Sequence, residues 1–169
     1  MVHRSASAIV YRRARTPSYS GCLRSSGERT ALPGSSSQRT LSSFRSAGRF
    51  LAFLADEQNL HDQTASVAVR VFDLRARKAD RGVVLDSSPP TGPGRLRLSS
   101  LIVTATGAAA WRQTGREDRI GARDIDGRHV VLASGPAGSI RDLVLLGGTT
   151  ARWRNGGVVQ SRRLDRLGR

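Results

Sequence analysis

Three stretches of this chain superimpose: Leu41-Ser-Ser-Phe44 to Phe53, Leu98-Ser-Ser-Leu101 to Trp111, and Ile140-Arg-Asp-Leu143 to Trp153. Each opens with an apolar run, turns at glycine (Gly48, Gly107, Gly147-Gly148) and closes with alanine near a large aromatic (Ala52-Phe53, Ala110-Trp111, Ala151-Arg-Trp153). Self-similarity at a regular spacing marks a repeat architecture, in which each unit buries its apolar face against its neighbours. That requirement governs what the chain can fold into.

A second kind of segment alternates with the first. It is a strand pair in which an acidic or small residue precedes a basic turn: Val67 to Lys78, Ile120 to Leu132, and Gly157 to Leu164. A degenerate copy runs through Ser7-Ala-Ile-Val-Tyr11 and Cys22 to Leu32. Four units emerge, at 6–32, 41–86, 98–133 and 139–165. We divide the chain into a basic N-terminal segment, 1–40, with the degenerate first repeat, and a β-repeat domain, 41–165, holding the other three.

Val67, Val69 and Val71 alternate with Ala68, Arg70 and Phe72, the period-2 signature of a strand with two different faces. Asp126-Gly127 and Asn155-Gly156-Gly157 predict type I′ hairpins, whose central positions need φ > 0. No segment carries a sustained 3.6-residue apolar stripe. Phe50 to Asn59 comes nearest to a helix, but its Asp-Glu-Gln run reads as a loop. Proline and glycine in Pro33 to Gln38, Ser87 to Gly94 and Ser134 to Ser139 mark irregular connections, because proline cannot donate to a strand ladder.

The chain has 169 residues, of which 5% are aromatic, so any core is built from Val, Leu, Ile and Ala in short segments. Its formal charge is +15, from 28 basic and 13 acidic residues. Residues 1–50 contribute nine Arg against Glu28, the middle is close to neutral, and 101–169 carry twelve Arg against six acids. Such a field attracts polyanions at low salt whatever the protein evolved to do. The single cysteine, Cys22, excludes an intrachain disulfide. No apolar run reaches the ~18 residues of a membrane-spanning helix. The N-terminus lacks a signal-peptide h-region, so the expected compartment is the cytoplasm; a signal sequence upstream of Met1 would make it secreted or periplasmic.

About 40 residues per unit, with up to four short strands in each, is the scale of a β-propeller blade. Val69-Arg-Val-Phe72-Asp73-Leu74-Arg-Ala-Arg-Lys78 resembles the inner-strand signature of WD-repeat and TolB-type propellers: a β-branched strand running into aromatic-Asp-Leu and a basic turn. The span from Ser7 to Leu164 is also similar to uncharacterised bacterial β-repeat proteins whose copies end in an aromatic followed by Asn-Gly-Gly, here Trp153-Arg-Asn155-Gly156-Gly157. The Gly-His dipeptide and Trp-Asp ending of WD repeats are missing, with Phe72-Asp73 as the nearest substitute. The resemblance implies an all-β fold, an antiparallel β-repeat array forming a small or incomplete β-propeller, with interaction or scaffolding as its usual role. Propellers typically need four to eight blades. Either Ser7 to Tyr11 completes the sheet that Gly157 to Leu164 begins and closes a small ring, or the array stays open and exposes an edge that invites self-association or pairing with another chain.

Catalytic signatures are scarce. No Gly-x-x-x-x-Gly-Lys-Ser/Thr loop, dinucleotide fingerprint or Gly-x-Ser-x-Gly elbow occurs, and no cofactor is implied. His3, His61 and His129 are too scattered for a zinc site. Asp124-Ile-Asp126-Gly127 opens like a calcium loop but lacks its later ligands, so it reads as a turn. Glu117-Asp118, flanked by Arg116 and Arg119, reads as a solvated loop tip, and Cys22 as a small packing residue of a strand. Trp111 and Trp153 occupy equivalent repeat positions and serve either to pack adjacent units or to stack a ligand. With Arg49, Arg112 and Arg154 beside the aromatics, they form the candidate ligand-binding set, a basic rim with interleaved rings.

The leading expectation is a non-enzymatic β-repeat binding or scaffold module whose partner is a protein or an anionic ligand. The alternative is a polyanion or nucleic-acid binder using the Arg-rich surface, with nucleic-acid binding of the nonspecific kind. A third reading is a propeller-face hydrolase or lyase using Asp73 and Asp124; it requires a concave pocket beside them.

Overall fold

The computed structural model describes residues 1–12, 18–32, 39–59, 64–79, 83–86 and 97–167. Among them, sixteen strands form four antiparallel sheets in sequence order. The first sheet holds β1 (His3–Arg4), β2 (Ala8–Arg12), β3 (Tyr19–Leu23) and β4 (Arg29–Ala31). The second holds β5 (Arg39–Ala47), β6 (Phe50–Asn59), β7 (Thr64–Asp73) and β8 (Lys78–Ala79), with β9 (Val83–Asp86) also pairing with β7. The third is β10 (Arg97–Val103), β11 (Ala109–Thr114), β12 (Glu117–Arg123) and β13 (His129–Pro136). The fourth is β14 (Ile140–Leu146), β15 (Thr150–Asn155) and β16 (Val158–Arg163). Each is a meander, and the first strands of sheets two to four adjoin, β10 packing against β5 on one side and β14 on the other.

Period-2 alternation gives each inner sheet two apolar faces, and those faces make the cores. Ala8, Val10 and Tyr19 of the first sheet meet Leu51, Phe53 and Phe72 of the second. The opposite face of the second, with Ala52, Val69 and Val71, meets Leu101, Ala109 and Trp111 of the third. Ala110, Ile120 and Ala122 on the far side of the third then meet Ile140, Ala151 and Trp153 of the fourth. Phe53, Trp111 and Trp153 are therefore equivalent in space as in sequence: each faces the preceding sheet and is buried there. Among the described residues no buried cluster joins the fourth sheet to the first, so the array is open.

The repeat also sets finer detail. Gly48, Gly107 and Gly147 turn the first hairpin of sheets two, three and four with positive φ. The strand before each turn carries a register shift, at Ser42/Arg45, Leu98/Ser100 and Arg141/Val144. Ser43 and Asp142, at matching repeat positions, take φ of 54° and 59° at these bulges. Gly156 and Gly157 form the two-residue turn expected between Asn155 and Val158, both with φ > 0.

Several expectations are corrected. Ser7 to Tyr11 does not complete the last sheet, because β2 is held between β1 and β3. Phe50–Asn59 is a strand: its Asp-Glu-Gln run simply extends the ladder between β5 and β7 past the buried stretch Leu51–Phe53. Asp126-Gly127 is not a type I′ pair. Only Gly127 has positive φ, and the Asp124 carboxylate organises the turn instead, its Oδ1 accepting the amides of Asp126 (3.0 Å) and Arg128 (2.8 Å). The segment likened to an inner propeller strand is β7, third in its sheet. Asp118 is no loop tip; it is 1% exposed. Pro33 to Gln38, Ser87 to Gly94 and His61 lie outside the described residues.

Candidate functional site

The second and third sheets are held apart at one end by their turns, and between the turns lies a cleft of about 390 Å³. The hairpin turns of β5–β6 and β10–β11 supply Arg49, Phe50, Thr106 and Gly107; the turns after β7 and β12 supply Asp73, Ala76, Ile125 and Asp126. Val71 and Arg123 reach it from the strands themselves. Glycine at 107 has a double cause: its φ is +94°, and a Cβ there would stand 2.8 Å from the Phe50 ring. Phe50 therefore lies over bare backbone and walls the cleft. Thr104, fully buried, steadies the same turn by accepting the Ala108 amide at 3.0 Å on its hydroxyl.

The two carboxylates singled out in the sequence occupy matching positions in successive sheets. Asp73 ends β7, and Asp124 follows β12. Both are spent on their turns. Oδ1 of Asp73 accepts the amides of Arg75 (2.9 Å) and Ala76 (3.0 Å), and its Oδ2 pairs with Nε of Arg49 at 2.9 Å. Asp124 is 5% exposed and caps its own loop, as above. Oδ1 of each carboxylate is thus committed to turn amides, and the second oxygen of Asp73 to Arg49. The exposed charge lining the cleft comes from Arg49, whose side chain is 50% exposed and rides over the Phe50 ring at 5.0 Å, and from Asp126; Arg123 also lines it but is buried.

Of the candidate ligand-binding residues, only Arg49 lines this cleft. Trp111 is fully buried between the second and third sheets, where its indole lies across Gly121 and stacks on His129, the ring centroids 5.5 Å apart. Trp153 is buried between the third and fourth sheets and donates its Nε1–H to Oε1 of Gln160 at 2.9 Å. Arg112 pairs with Asp118 at 3.0 Å, and Arg154 lies on the exposed face of the fourth sheet, 3.9 Å from Asp142. The five residues do not converge on one surface. Phe50, Gly107, Arg123 and Asp126 were not singled out by the sequence as ligand-contacting residues. The equivalence of the two aspartate turns was the signal that could have found them.

Among the described residues no group of three or more His, Cys, Asp and Glu side chains could hold a metal ion, and no helix is long and apolar enough to cross a membrane. Cys22 is buried in β3. Burial lowers the pKa of His129 below the ordinary imidazole value; burial and then the charge of Arg45 do the same for His3.

No family model matches this chain, and no curated protein does. Its fold is that of a β-propeller-type sheet array. The similarity is to a solved structure reported as "the beta-propeller domain of the Trilobed protease from Pyrococcus furiosus", described as having an open velcro topology, with a TM-score of 0.51 and 15% identity over 69% of this chain. The matched region is 34% of that chain, so this protein spans about a third of its length. At such identity the likeness concerns the fold alone.

Proposed function

We propose that this chain is a non-enzymatic binding module on a β-propeller-type scaffold, and that the cleft between the second and third sheets takes a carboxylate-bearing segment of a partner protein. One observation carries the reading: the cleft sets one exposed guanidinium, that of Arg49, beside apolar walls, while Oδ1 of each neighbouring aspartate is engaged in holding a turn. Arg49 can exchange its pairing with Asp73 for a ligand carboxylate, in the fork geometry that guanidinium favours. Phe50 and Ile125 would flank the neighbouring apolar side chain. Asp126 offers a place for a donor, which favours a peptide over a purely anionic chain.

The test is chemical-shift mapping with blocked dipeptides, Glu-Leu against Lys-Leu, at about millimolar concentration. The reading expects shifts at Phe50, Gly107 and Ile125 with Glu-Leu only, lost in Arg49→Met. Equal response to both peptides would refute it. So would turnover of ester, phosphate or glycoside substrates that disappears in Asp73→Asn.

A second reading, polyanion or nucleic-acid binding, is favoured by the formal charge of +15. It demands a sequence preference that survives physiological salt; uniform loss of binding for all sequences would leave only a field effect.

A further inference from the structure

Among the described residues, sheets one to three each have a strand beyond their third, whereas the fourth sheet holds three, the last of them β16. Opposite β13, where a fourth strand of that sheet would lie, runs an open groove of about 600 Å³. Val130, Leu132, Trp153 and Leu167 give it an apolar lining, with Gln160 and Arg162 along the β16 side. The strand beside it is bare: every residue of β16 is exposed, Val158 at 63% and Val159 at 56%.

Pairing with β15 settles which backbone groups are free. Asn155↔Val158 closes a two-residue turn, and the Leu164 amide bonds the Thr149 carbonyl at 2.9 Å. Alternation along an antiparallel ladder then turns Val158, Gln160 and Arg162 toward β15. The N–H and C=O groups of Val159, Ser161 and Arg163 point outward to the open edge.

Charge identifies the occupant. Residues 140–165 carry five arginines and two aspartates, Asp165 bonded to Arg163 at 2.8 Å and Asp142 lying 3.9 Å from Arg154, so the surface keeps a net positive charge. In register, Arg152 and Arg154 share the outer face with Val159, Ser161 and Arg163, while Trp153 and Gln160 share the groove face. A second copy of this chain would bring arginine against arginine, through β16 itself or through the outward Arg29 of the first sheet. We propose that this edge binds an extended strand from an acidic partner protein, with apolar side chains alternating into the groove and acidic ones alternating toward Arg152, Arg154 and Arg163. Main-chain bonds to β16 give affinity, and the alternation gives register. This surface lies apart from the cleft of the proposed function and stands independently of it.

The test titrates the full chain with a labelled, end-blocked octapeptide of alternating glutamate and valine. Three comparisons accompany it: lysine in place of glutamate, four glutamates followed by four valines, and heparin as competitor. Binding of the alternating peptide is expected to be at least tenfold tighter than that of the block peptide and undetectable with lysine. Ser161→Pro deletes one outward amide without changing charge or any bond to β15, and should weaken binding at least tenfold. Should Ser161→Pro fail to fold, hydrogen exchange of the natural chain serves, with new protection on peptide binding at Val159, Ser161 and Arg163. Equal binding of the block peptide, insensitivity to Ser161→Pro in a folded variant, no added edge protection, or self-dimerisation with the peptide inert would each overturn the proposal. Displacement by heparin that is equal for both glutamate peptides would assign the surface to polyanions instead.

Discussion

Replacing Asp118 by alanine should be the most damaging single change to a polar side chain in this protein. Its carboxylate sits on β12 with 1% of its surface exposed and gathers three donors on Oδ2: Nη2 of Arg112 at 3.0 Å, the Gly138 amide at 3.0 Å and the Ile140 amide at 3.2 Å. Two of those donors belong to the turn leading into β14, so one carboxylate ties the third sheet to the start of the fourth. Alanine would leave the Arg112 guanidinium, only 19% exposed, without its counter-charge. Breaking a buried pair on one side costs about 3–5 kcal/mol, and an amide stranded without an acceptor costs about 1–3 kcal/mol. These terms overlap through local relaxation, so the expected loss is about 4 kcal/mol, a large share of the stability of a domain this size. Arg112→Met leaves the buried Asp118 carboxylate with both amides but without its counter-charge; it should cost about 3 kcal/mol, and the double variant should fall short of the sum. Urea unfolding followed by tryptophan fluorescence measures all three. A loss below about 1 kcal/mol for Asp118→Ala, or strict additivity in the double variant, would refute the hub role.

Gly107→Ala faces both a φ of +94° and a contact with Phe50 at 2.8 Å, and should cost about 2–4 kcal/mol by urea titration; a neutral result would contradict the close approach at the cleft wall. Trp153→Phe deletes the donor that meets Gln160 at 2.9 Å and part of the core between sheets three and four, and should cost about 1–3 kcal/mol by the same assay. Partial burial, with Trp111 stacked on one ring face, lowers the pKa of the otherwise exposed His129, and burial followed by the charge of Arg45 lowers that of His3, so the fold favours their neutral forms. The stability they contribute is present above the unfolded value of roughly 6.5 and is lost as pH falls through that value toward the lower folded ones. The double change His3→Gln, His129→Gln should flatten thermal stability between roughly pH 7 and pH 5; an unchanged slope would contradict the burial argument.

The sequence exposed the architecture well because repetition places equivalent residues in equivalent environments. Phe53, Trp111 and Trp153 could be aligned by eye, and each proved to fill the same slot between sheets. Asn155-Gly156-Gly157 was legible because a two-residue turn needs only local chemistry. Asp126-Gly127 looked the same but behaved differently, since the competing carboxylate of Asp124 offered the backbone a better set of acceptors. Asp118 was misread for a deeper reason. Its burial is made by the turn around Gly138 folding back across β12, which no local pattern encodes, and flanking arginines gave it the look of surface. The cleft was half legible: Arg49, Asp73 and Asp124 stood out by type and position. Phe50 and Gly107 acquire their roles only when two sheets meet. The groove beside β16 was anticipated only as an open edge, because its lining comes from β13 in another unit.

Everything rests on sheets packing in sequence order through three cores, with no core among the described residues joining the last sheet to the first. Side-chain nuclear Overhauser contacts from the three large aromatics measure that directly. The account predicts contacts from Phe53 to Ala8 and Val10, from Trp111 to Ala52 and Val69, and from Trp153 to Ala110 and Ala122. Contacts between side chains of the fourth sheet and the outward face of the first, near Ile9 and Tyr11, would show a closed ring and contradict it; so would the absence of the Trp111 set.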